Sequence, residues 1–409
     1  MDATEVNDIV IVGGGLCGLA TAVALHRKGI KSIVLERSET LRDTGGAIGT
    51  RSNAWRALDQ LGVGSKLRPT AVRVLKNREI SLDKGGSNEE TSLANDETRC
   101  LKRSDLITTL ADALPPGTIQ FGRQVVSVKL DPSNSYPTVQ LHDGSSIVAK
   151  ILIGCDGAHS VVADFLELKP TKEFGLSVTR GLTHYSNGHS VPHEIVRVTK
   201  NDVVIGRAPI DDKSAYWFVA QPLTSEEHAK ISQRPELIRE STLHAVEGFS
   251  TEFVQLIEDS ELESLTLTHL RYRHPCDLLL GKFRKGTVTV AGDAMHVMGP
   301  FLGQGGAAGL EDAIVLARCL SQKFVSTVDR PITSESQTMT KVIMRGVEEA
   351  MDRYVKERRM RVVRLSTQSY LTGLLLAPSS RSVKSACNVS MAVLFRNPSN
   401  HSQYDCGVL

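Results

Sequence analysis

The chain has 409 residues, enough for roughly two or three domains, and 41% of its residues are hydrophobic. Its 48 basic and 46 acidic residues leave a formal net charge of +2. This balance gives no argument for nucleic acid or an acidic membrane surface as a partner, and an aromatic content of 5% weakens a base-stacking role.

Cysteine and histidine positions argue against a disulfide framework or a metal site. No two of the 7 cysteines form a CxxC pair, and His184, His189 and His193 lack the spacing of metal ligands. The first strand begins by Asp8, which leaves no room for a leader peptide, and no apolar run of about eighteen residues occurs. We therefore expect a cytoplasmic protein without a transmembrane segment.

The first predicted unit is a strand, a glycine-rich turn and a helix. The β-branched run Ile9–Val12 is typical of a buried parallel strand. Gly13, Gly15 and Gly18 follow as GxGxxG. The first glycine permits a tight turn, the second lets a pyrophosphate approach the backbone, and the third lets the helix pack on the strand. The helix, predicted over Leu16–Lys28, points its N-terminal amides at the phosphates.

An acidic residue follows the second predicted strand. Ser32–Leu35 ends at Glu36, where a carboxylate can accept hydrogen bonds from an adenosine ribose. Strand, turn, helix and acid together predict a dinucleotide site, and a glycine-rich turn with no ligand is the alternative. Arg37 could contact a phosphorylated ribose, the adenine face or only solvent, so it does not identify NADP.

The middle of the chain has a different pattern. Asn77–Thr98 is rich in charged residues, Gly and Ser, which predicts an exposed excursion or hairpin. Ile151–Gly154 is another predicted strand, with Asp156 in the turn after it. The region that follows is predicted to form a separate β-sheet layer. Three of its segments alternate as antiparallel strands: Glu194–Arg197, Val203–Ala208 and Ala215–Ala220.

Two polar side chains of this sheet are candidates for substrate contact. Arg207 and Tyr216 lie on neighbouring predicted strands, and strand alternation puts Trp217 on the face opposite Tyr216. The alternatives are packing for Tyr216 and a surface salt bridge for Arg207.

The second glycine-rich turn favours a flavin. Thr287–Ala291 is a β-branched strand that ends at Gly292 and Asp293, and Gly303–Gly306 then begin a helix predicted to reach Gln322. An acid directly after a strand can hold a chain of hydroxyls, and a helix N-terminus can stabilise negative charge on a ring. A flavin needs both, because its ribityl chain carries hydroxyls and its reduced ring is anionic along one edge. An ordinary strand–loop–helix is the alternative.

Charged residues also mark the last third of the chain. Glu311 and Asp312 fall in the first two turns of the helix that follows Gly303–Gly306, where the helix dipole tolerates acids. From about Thr340 to Leu375 the pattern is again helical. Its basic side chains are predicted to form a solvated face: Lys356, Arg358, Arg359, Arg361 and Arg364. Val389–Phe395 is short and apolar and is predicted to pack as a terminal helix.

Three ordered segments together resemble the class A flavin-dependent aromatic hydroxylases. They are VGGGLCGLA with Glu36, ILIGCDGAHSVVADFL over Ile151–Leu166, and VAGDAMHVMGPFLGQGGAAGLEDAIVLARCL over Val290–Leu320. The chain is most similar to plant FAD monooxygenases related to salicylate hydroxylase and zeaxanthin epoxidase. The resemblance implies a mixed α/β fold, with a Rossmann-like FAD-binding domain of the para-hydroxybenzoate hydroxylase type, an inserted antiparallel β-sheet substrate domain and C-terminal helices.

The same resemblance implies a division of the chain. The FAD-binding domain would comprise residues 1–75, 99–172 and 276–330, with the exposed excursion at 76–98. The substrate sheet would comprise residues 173–275, and the C-terminal helical region residues 331–409.

The resemblance also implies the site residues. The adenosine diphosphate site would comprise Gly13, Gly14, Gly15, Leu16, Cys17 and Glu36, with Arg37 as a further candidate contact. The other implied contacts are Ala47 near the flavin, Arg103 at the cofactor, the backbone of Val125 at the adenine, Asp156 near the pyrophosphate, Asp293 at the ribityl chain, and Gly303, Gln304, Gly305, Gly306 and Ala307 beside the ring. Val297 follows His296 where the family commonly has proline. Pro300 is then the ring-facing proline, and it joins Arg207 and Tyr216 as a candidate catalytic residue.

The implied activity is a monooxygenation. NAD(P)H, bound transiently, would reduce non-covalent FAD, and O2 would add to give a C4a-hydroperoxide that hydroxylates or epoxidises a small aromatic or unsaturated substrate. The absence of a second clear GxGxxG agrees with transient NAD(P)H binding. The alternatives are an NAD-dependent dehydrogenase, another flavin oxidase or dehydrogenase, and a non-catalytic FAD-binding scaffold or regulator. The sequence lacks the Trp-x-Trp of flavin halogenases and the CxxC of disulfide reductases.

Overall fold

The computed structural model describes residues 6–41, 46–83, 86–132, 134–328, 336–377, 380–395 and 398–409. In chain order its strands are β1 (Val6–Val12), β2 (Ile33–Leu35), β3 (Ala47–Thr50), β4 (Val72–Arg73), β5 (Lys76–Ser81), β6 (Ser87–Ser92), β7 (Arg99–Lys102), β8 (Ile119–Gln120), β9 (Val125–Leu130), β10 (Pro137–Leu141), β11 (Ser146–Gly154), β12 (Lys172–His184), β13 (Glu194–Lys200), β14 (Val203–Pro209), β15 (Ser214–Pro222), β16 (Thr266–Tyr272), β17 (Arg284–Lys285) and β18 (Val288–Val290).

The helices, also in chain order, are α1 (Leu16–Arg27), α2 (Ser52–Gln60), α3 (Gly64–Leu67), α4 (Arg103–Ala111), α5 (Val161–Phe165), α6 (Ser225–Ile231), α7 (Pro235–Ala245), α8 (Thr251–Glu258), α9 (Pro275–Leu280), α10 (Asp293–His296), α11 (Gly305–Val328), α12 (Ser336–Leu376) and α13 (Arg381–Leu394). Within the described residues, none of these helices is long and apolar enough to cross a membrane.

The first sheet is the mostly parallel sheet built around β1. β2 and β11 flank β1 in parallel, β18 continues the sheet in parallel beyond β11, and β8 does so beyond β2. Parallel strands end at one edge of a sheet, which is where α/β proteins bind ligands. Gly13, Glu36, Asp156 and Asp293 each follow one of these strands at that edge. The predicted strand–turn–helix of the first turn is confirmed as β1 and α1.

The core of this region is formed by the sheet and the helices that cover it. β-branched residues of β1 such as Val10, together with Leu19 of α1, Leu316 of α11 and Met351 of α12, are fully buried in one apolar cluster. The helix predicted over about Thr340–Leu375 is confirmed as α12. A terminal helix is present as α13, but the prediction that Val389–Phe395 packs is wrong for most of its apolar side chains, because those at positions 389, 393 and 394 are exposed and only Phe395 is buried.

The second sheet, here called the roof sheet, runs in the order β16, β12, β15, β14, β13, β5 and β6. Neighbours are antiparallel except β13 and β5. The three predicted strands are confirmed as β13, β14 and β15. The predicted hairpin is confirmed as β5 and β6, but it is not separate from the sheet, because Glu194–Thr199 of β13 pairs with Lys76–Ser81 of β5. This pairing supplies partners for a β13 edge that would otherwise be open.

The two faces of the roof sheet have different environments. The outer face packs against α7 and α8, which buries Ile205, Trp217 and Val219 of the sheet together with Phe253 of α8. The inner face packs partly against the end of α12, through an apolar cluster that includes Val178, Ala220 and Ala377. Along the same inner face, Tyr216 extends to the small sheet of β3, β7 and β4. The fold is therefore the predicted mixed α/β architecture, with the inner face of the roof sheet turned toward the small sheet of β3, β7 and β4.

Candidate active site

The first glycine turn brings β1, α1 and the end of β11 into close contact. Gly13 has a φ of 103°, and a Cβ there would lie 2.5 Å from the carbonyl oxygen of Cys155. A Cβ on Gly18 would overlap the carbonyl oxygen of Gly13. Gly15 differs, because a Cβ at this position would meet no atom within 4 Å. Two glycines are thus required by backbone packing, whereas the third leaves open space at the N-terminus of α1.

Glu36 is tied to the same turn. It is buried, one carboxylate oxygen accepts a 2.7 Å hydrogen bond from Gly14 N–H, and the other accepts one of 2.9 Å from Ser38 N–H. Arg37 is exposed. Arg123 N–H donates to the Glu36 carbonyl over 2.8 Å, which brings Val125, at the start of β9, close to the end of β2. The structure therefore brings together the residues around the first turn that were predicted to bind adenosine diphosphate.

Asp156 lies beside the first turn. Its Cα would be 2.9 Å from a Cβ on Gly13, and its carboxylate accepts a 2.8 Å hydrogen bond from Val161 N–H at the start of α5. Burial raises the pKa of Asp156, and hydrogen bonds from Ser160 and from backbone amides oppose this shift. The acid predicted in the turn after the strand Ile151–Gly154, now part of β11, is therefore adjacent to the GxGxxG turn.

Asp293 projects into a cleft at the end of β18. Gly292, with a φ of 62°, turns the chain so that Asp293 begins α10. Asp293 is solvent-accessible, and it faces the start of α11, where a Cβ on Gly305 would lie 3.9 Å from its Oδ1. Desolvation raises the pKa of Asp293 and Asp312 adds to this, whereas His296 and Arg103 oppose it. Arg103 is thus close enough to Asp293 to affect its charge.

The start of α11 forms another wall of the cleft. A Cβ on Gly305 would meet only Asp293 Oδ1, at 3.9 Å, whereas a Cβ on Gly306 would lie 2.9 Å from Ile48 Cδ1 and 3.2 Å from Leu16 Cδ2. The preceding Gly303 is exposed and has a φ of 62°. The N-termini of α1 and α11 and strand β3 therefore meet around one space.

Strand β3 and Tyr216 complete the cleft. Ala47 pairs with Lys102, and Arg103 N–H donates to the Gly46 carbonyl over 3.0 Å. A Cβ on Gly46 would lie 2.8 Å from Tyr216 Cε2, so the tyrosine ring covers this turn. Burial raises the pKa of Tyr216. Tyr216 is thus brought to the predicted flavin segment.

The loop that carries Pro300 is anchored from two sides. Arg273 N–H donates to the Val297 carbonyl over 2.8 Å, and Ser369 Oγ donates to the Gly299 carbonyl over 2.8 Å. Pro300 itself is exposed. These hydrogen bonds hold the turn that contains Val297, at the position where the aromatic hydroxylases commonly have proline.

Arg207 lies elsewhere. It is in register with Trp217, while Ala208 is in register with Tyr216, so its side chain belongs to the outer face of the roof sheet. It is buried there, with Nε 3.1 Å from Glu252 Oε1 and Nη2 3.8 Å from Glu194 Oε1. The alternative predicted for Arg207, a salt bridge, therefore fits the structure. Arg207 is the buried partner of this salt bridge, whereas Glu252 is exposed. The structure does not bring Arg207 together with Tyr216.

Sequence reasoning missed two arginines on the inner face. Arg180 is in register with Phe218 and lies near Tyr216, whose pKa it lowers against the effect of burial. Arg197 is in register with Gly206, on the face of Phe218, and its Nη1 lies 3.4 Å from the Phe301 carbonyl beside Pro300. Alternation along one strand does not show which residues of a neighbouring strand share its face. Arg180 and Arg197 could therefore have been assigned to the face of Tyr216 only if the pairing register were known.

The prediction of a solvated basic face on α12 is wrong for two residues. Arg358 is fully buried and the Arg361 side chain is 8% exposed. Arg358 pairs with Glu311 and Asp312 of α11, and Arg361 pairs with Glu311. A signal was present in the sequence, because Arg358 is one helical turn after Tyr354 and two after Met351, on the apolar stripe of the helix.

Comparisons with known proteins agree with this geometry. A family model described as an FAD binding domain matches residues 6–369. The chain is 48% identical over 402 residues to Monooxygenase 1 of Arabidopsis thaliana, covering 98% of this chain and 99% of the relative. It is 34% identical over 407 residues to Monooxygenase 2 of the same plant, covering 98% of each. The solved structure of Klebsiella pneumoniae HpxO complexed with FAD and uric acid has a TM-score of 0.76 at 20% identity, covering 97% of this chain and 96% of that one.

The chain therefore belongs to the FAD-binding family of FAD-dependent monooxygenases, and FAD is its cofactor. The cleft fits this cofactor on three observations. Gly15 and Gly305 leave open space beside helix N-termini, and Asp293 is accessible inside the cleft. Gln304 Nε2, at the start of α11, is buried and has no hydrogen-bond partner within the described residues.

Proposed function

We propose that the protein is an NAD(P)H-dependent monooxygenase that uses O2 to hydroxylate or epoxidise a small aromatic or unsaturated molecule. The observation that carries the proposal is the convergence of Asp293, the start of α11, strand β3 and Tyr216 on one cleft. A simple dinucleotide dehydrogenase would need only the first glycine turn. Here a second turn and a roof of side chains lie opposite it, which suits a flavin with a substrate above its ring.

The cofactor contacts follow from the positions of the residues. The free amides at the start of α1 would bind the pyrophosphate beside Gly15, and Glu36 would accept from the adenosine ribose. Asp293 would accept from the ribityl hydroxyls. Gly305 and Gly306 would present the α11 amides to the edge of the ring that becomes negative.

When bound, FAD supplies the chemistry of passing electrons from NAD(P)H to O2 and an oxygen atom to the substrate. The chain positions the ring, excludes water and holds the substrate above it. Burial raises the pKa of Tyr216 further above neutral pH, so the phenol stays uncharged. It would therefore offer an uncharged hydroxyl and an aromatic face to the substrate.

The inner face of the roof sheet supports an aromatic substrate with a polar edge. Tyr216 and Phe218 have ring centroids 6.4 Å apart on this face, and Arg180 adds a cationic group beside Tyr216, whereas Arg197 on the same face is paired with Glu79. HpxO, which shares the fold, was crystallised with uric acid, a small planar molecule with acidic groups. A planar molecule of this kind would stack on the tyrosine and present its acidic or carbonyl edge to an arginine.

Replacing Tyr216 should weaken ligand binding without removing FAD. In Tyr216→Ala we expect the ligand concentration for half-maximal stimulation of NAD(P)H oxidation to rise roughly 10-fold, because a stacking and hydrogen-bonding partner is lost. FAD content should stay at the wild-type level. The matched control is Tyr185→Ala, which removes a partly buried tyrosine that follows β12 and packs against the apolar cluster of the outer face. An equal effect of both variants would place the substrate elsewhere.

The function as a whole is tested by a screen of ligands. The purified protein is mixed anaerobically with NADH or NADPH and a panel of aromatic acids, phenols, purines and polyenes, and the bleaching of the flavin is followed. We expect at least one class of ligand to accelerate bleaching. If neither nicotinamide reduces the flavin with any ligand, the protein is better described as an FAD-binding scaffold.

A further inference from the structure

A buried group of four charges lies directly behind the candidate flavin site. Glu311 and Asp312 of α11 and Arg358 of α12 are completely buried, and Arg361 is nearly so. Arg358 Nη2 lies 2.8 Å from Glu311 Oε2, and its Nε lies 2.6 Å from Asp312 Oδ1. Arg361 donates to both carboxylate oxygens of Glu311, at 3.1 and 2.8 Å. Two arginines therefore neutralise two adjacent carboxylates.

This group is connected to the cleft by two hydrogen-bonded routes. Asp312 Oδ2 accepts from Gly292 N–H over 2.9 Å and from His296 Nε2 over 2.6 Å, so it holds the turn that presents Asp293. Glu311 Oε1 accepts from Asn53 Nδ2 over 2.7 Å, and the same amide donates over 2.9 Å to Gln304 Oε1. Each carboxylate thus supports one wall of the cleft.

The surroundings of Glu311, Asp312 and Arg358 favour the charged form of each group despite burial. Burial opposes the charge of Asp312, but His296 and Arg358 outweigh it and hold the pKa of this carboxyl below its usual range. Arg358 and Arg361 do the same for the pKa of Glu311 against burial. Burial acts against the Arg358 charge as well, yet Asp312 and Glu311 raise its pKa.

The position of the carboxylates makes their neutralisation important. Asp312 is seven residues after Gly305, which is about 10 Å along an α-helix. Two uncompensated negative charges at that distance in a protein interior would repel the negative charge that a reduced ring acquires. They would also cancel the positive end of the α11 dipole that faces the ring.

We propose that Arg358 is a positioning residue for the flavin, which sets the charge behind the ring and fixes the Gly292–Asp293 turn through Asp312. This inference rests on the proposed function, because it concerns the reduction of bound FAD. Without Arg358, the charge behind the cleft would be one unit more negative than in the wild type, whether or not His296, which also contacts Asp312, carries a proton. FAD would then bind less tightly and accept electrons less readily.

The test is the midpoint potential of bound FAD, measured by reductive titration against a reference dye. In Arg358→Met we expect a lower potential and a roughly 10-fold rise in the dissociation constant of FAD, the usual size of a coupling between sites. In Arg358→Met combined with Asp312→Asn, the charge balance is restored and the potential should return toward the wild-type value. The control Arg364→Met removes the same charge from an exposed position of α12 and should leave the potential unchanged.

The single and double variants together distinguish an effect of charge on the potential from a loss of protein stability. A purely structural role would lower the melting temperature of both Arg358 variants without restoring the potential in the double variant, and that result would overturn the proposal. If Arg358→Met does not fold, Asp312→Asn alone must raise the potential, because it removes only the negative charge. An unchanged potential in Asp312→Asn would equally overturn it. These titrations use a chemical reductant, so a failure of NAD(P)H to reduce the flavin would contradict the proposed function but not this inference.

Discussion

The variant Asp293→Ala is expected to be purified without its yellow cofactor. The Asp293 carboxylate lies in the cleft beside the first turn of α11, and it is the acid placed to accept hydrogen bonds from the ribityl chain. A hydrogen bond to a charged group contributes about 1.5–3 kcal/mol, so losing more than one should weaken FAD binding roughly 100-fold or more. The measurement is the flavin absorbance of the purified protein, followed by titration of FAD into the cofactor-free form.

Two control variants show whether the loss of FAD is specific to the Asp293 carboxylate. Asp293→Asn keeps the shape and an acceptor oxygen, so it should retain more FAD than Asp293→Ala. Asp143→Ala removes an exposed carboxylate from the turn between β10 and β11 and should bind FAD like the wild type. If Asp293→Ala kept full occupancy, the assignment of the second glycine turn to the ribityl chain would be wrong.

Substitutions at two glycines of the first turn should have different consequences. The Cβ of Gly18→Ala would overlap the Gly13 carbonyl oxygen, so we expect loss of the folded state, at a cost of about 4 kcal/mol or more. Gly15 has an extended φ of −79° and open space around its Cβ position, so Gly15→Ala should fold normally. Its methyl group would enter the space assigned to the pyrophosphate, and FAD binding should fall roughly 10-fold or more.

Thermal unfolding and FAD titration separate these two effects. Gly29→Ala is the control, because Gly29 has a φ of 71° with nothing near its Cβ position and lies at the far end of α1. It should lose about 1–2 kcal/mol of stability through backbone strain and bind FAD normally. Wild-type FAD affinity in Gly15→Ala would contradict the assignment of the pyrophosphate to this turn.

The sequence was sufficient for features that depend on local pattern. The first glycine turn, the acid at Glu36 and the alternating strands of the roof sheet were predicted, because strand alternation and glycine spacing are visible within about ten residues. The strands before Asp156 and Asp293 were also predicted, but the assignment of these acids to the cofactor came from the family resemblance, and the edge at which they lie near Gly13 is seen only in the sheet order.

Features that depend on pairing between distant segments were not readable. Arg207 and Tyr216 are separated by the turn between β14 and β15, and only the observed register shows that they lie on opposite faces. Glu311 was interpreted as an acid tolerated by the helix dipole, whereas its main partners come from α2 and α12. A buried ion pair between helices leaves no local periodic signal except a charged residue on an apolar stripe, as at Arg358.

The central claim is that the protein transfers an oxygen atom to a substrate, and labelled dioxygen tests it most directly. The enzyme is supplied with NAD(P)H, isotopically labelled O2 and the ligand that most accelerates flavin bleaching, and the products are analysed by mass spectrometry. The proposed function predicts one labelled oxygen atom in the organic product and the other in water. Label found only in hydrogen peroxide, with the ligand recovered unchanged, would contradict it and identify an oxidase.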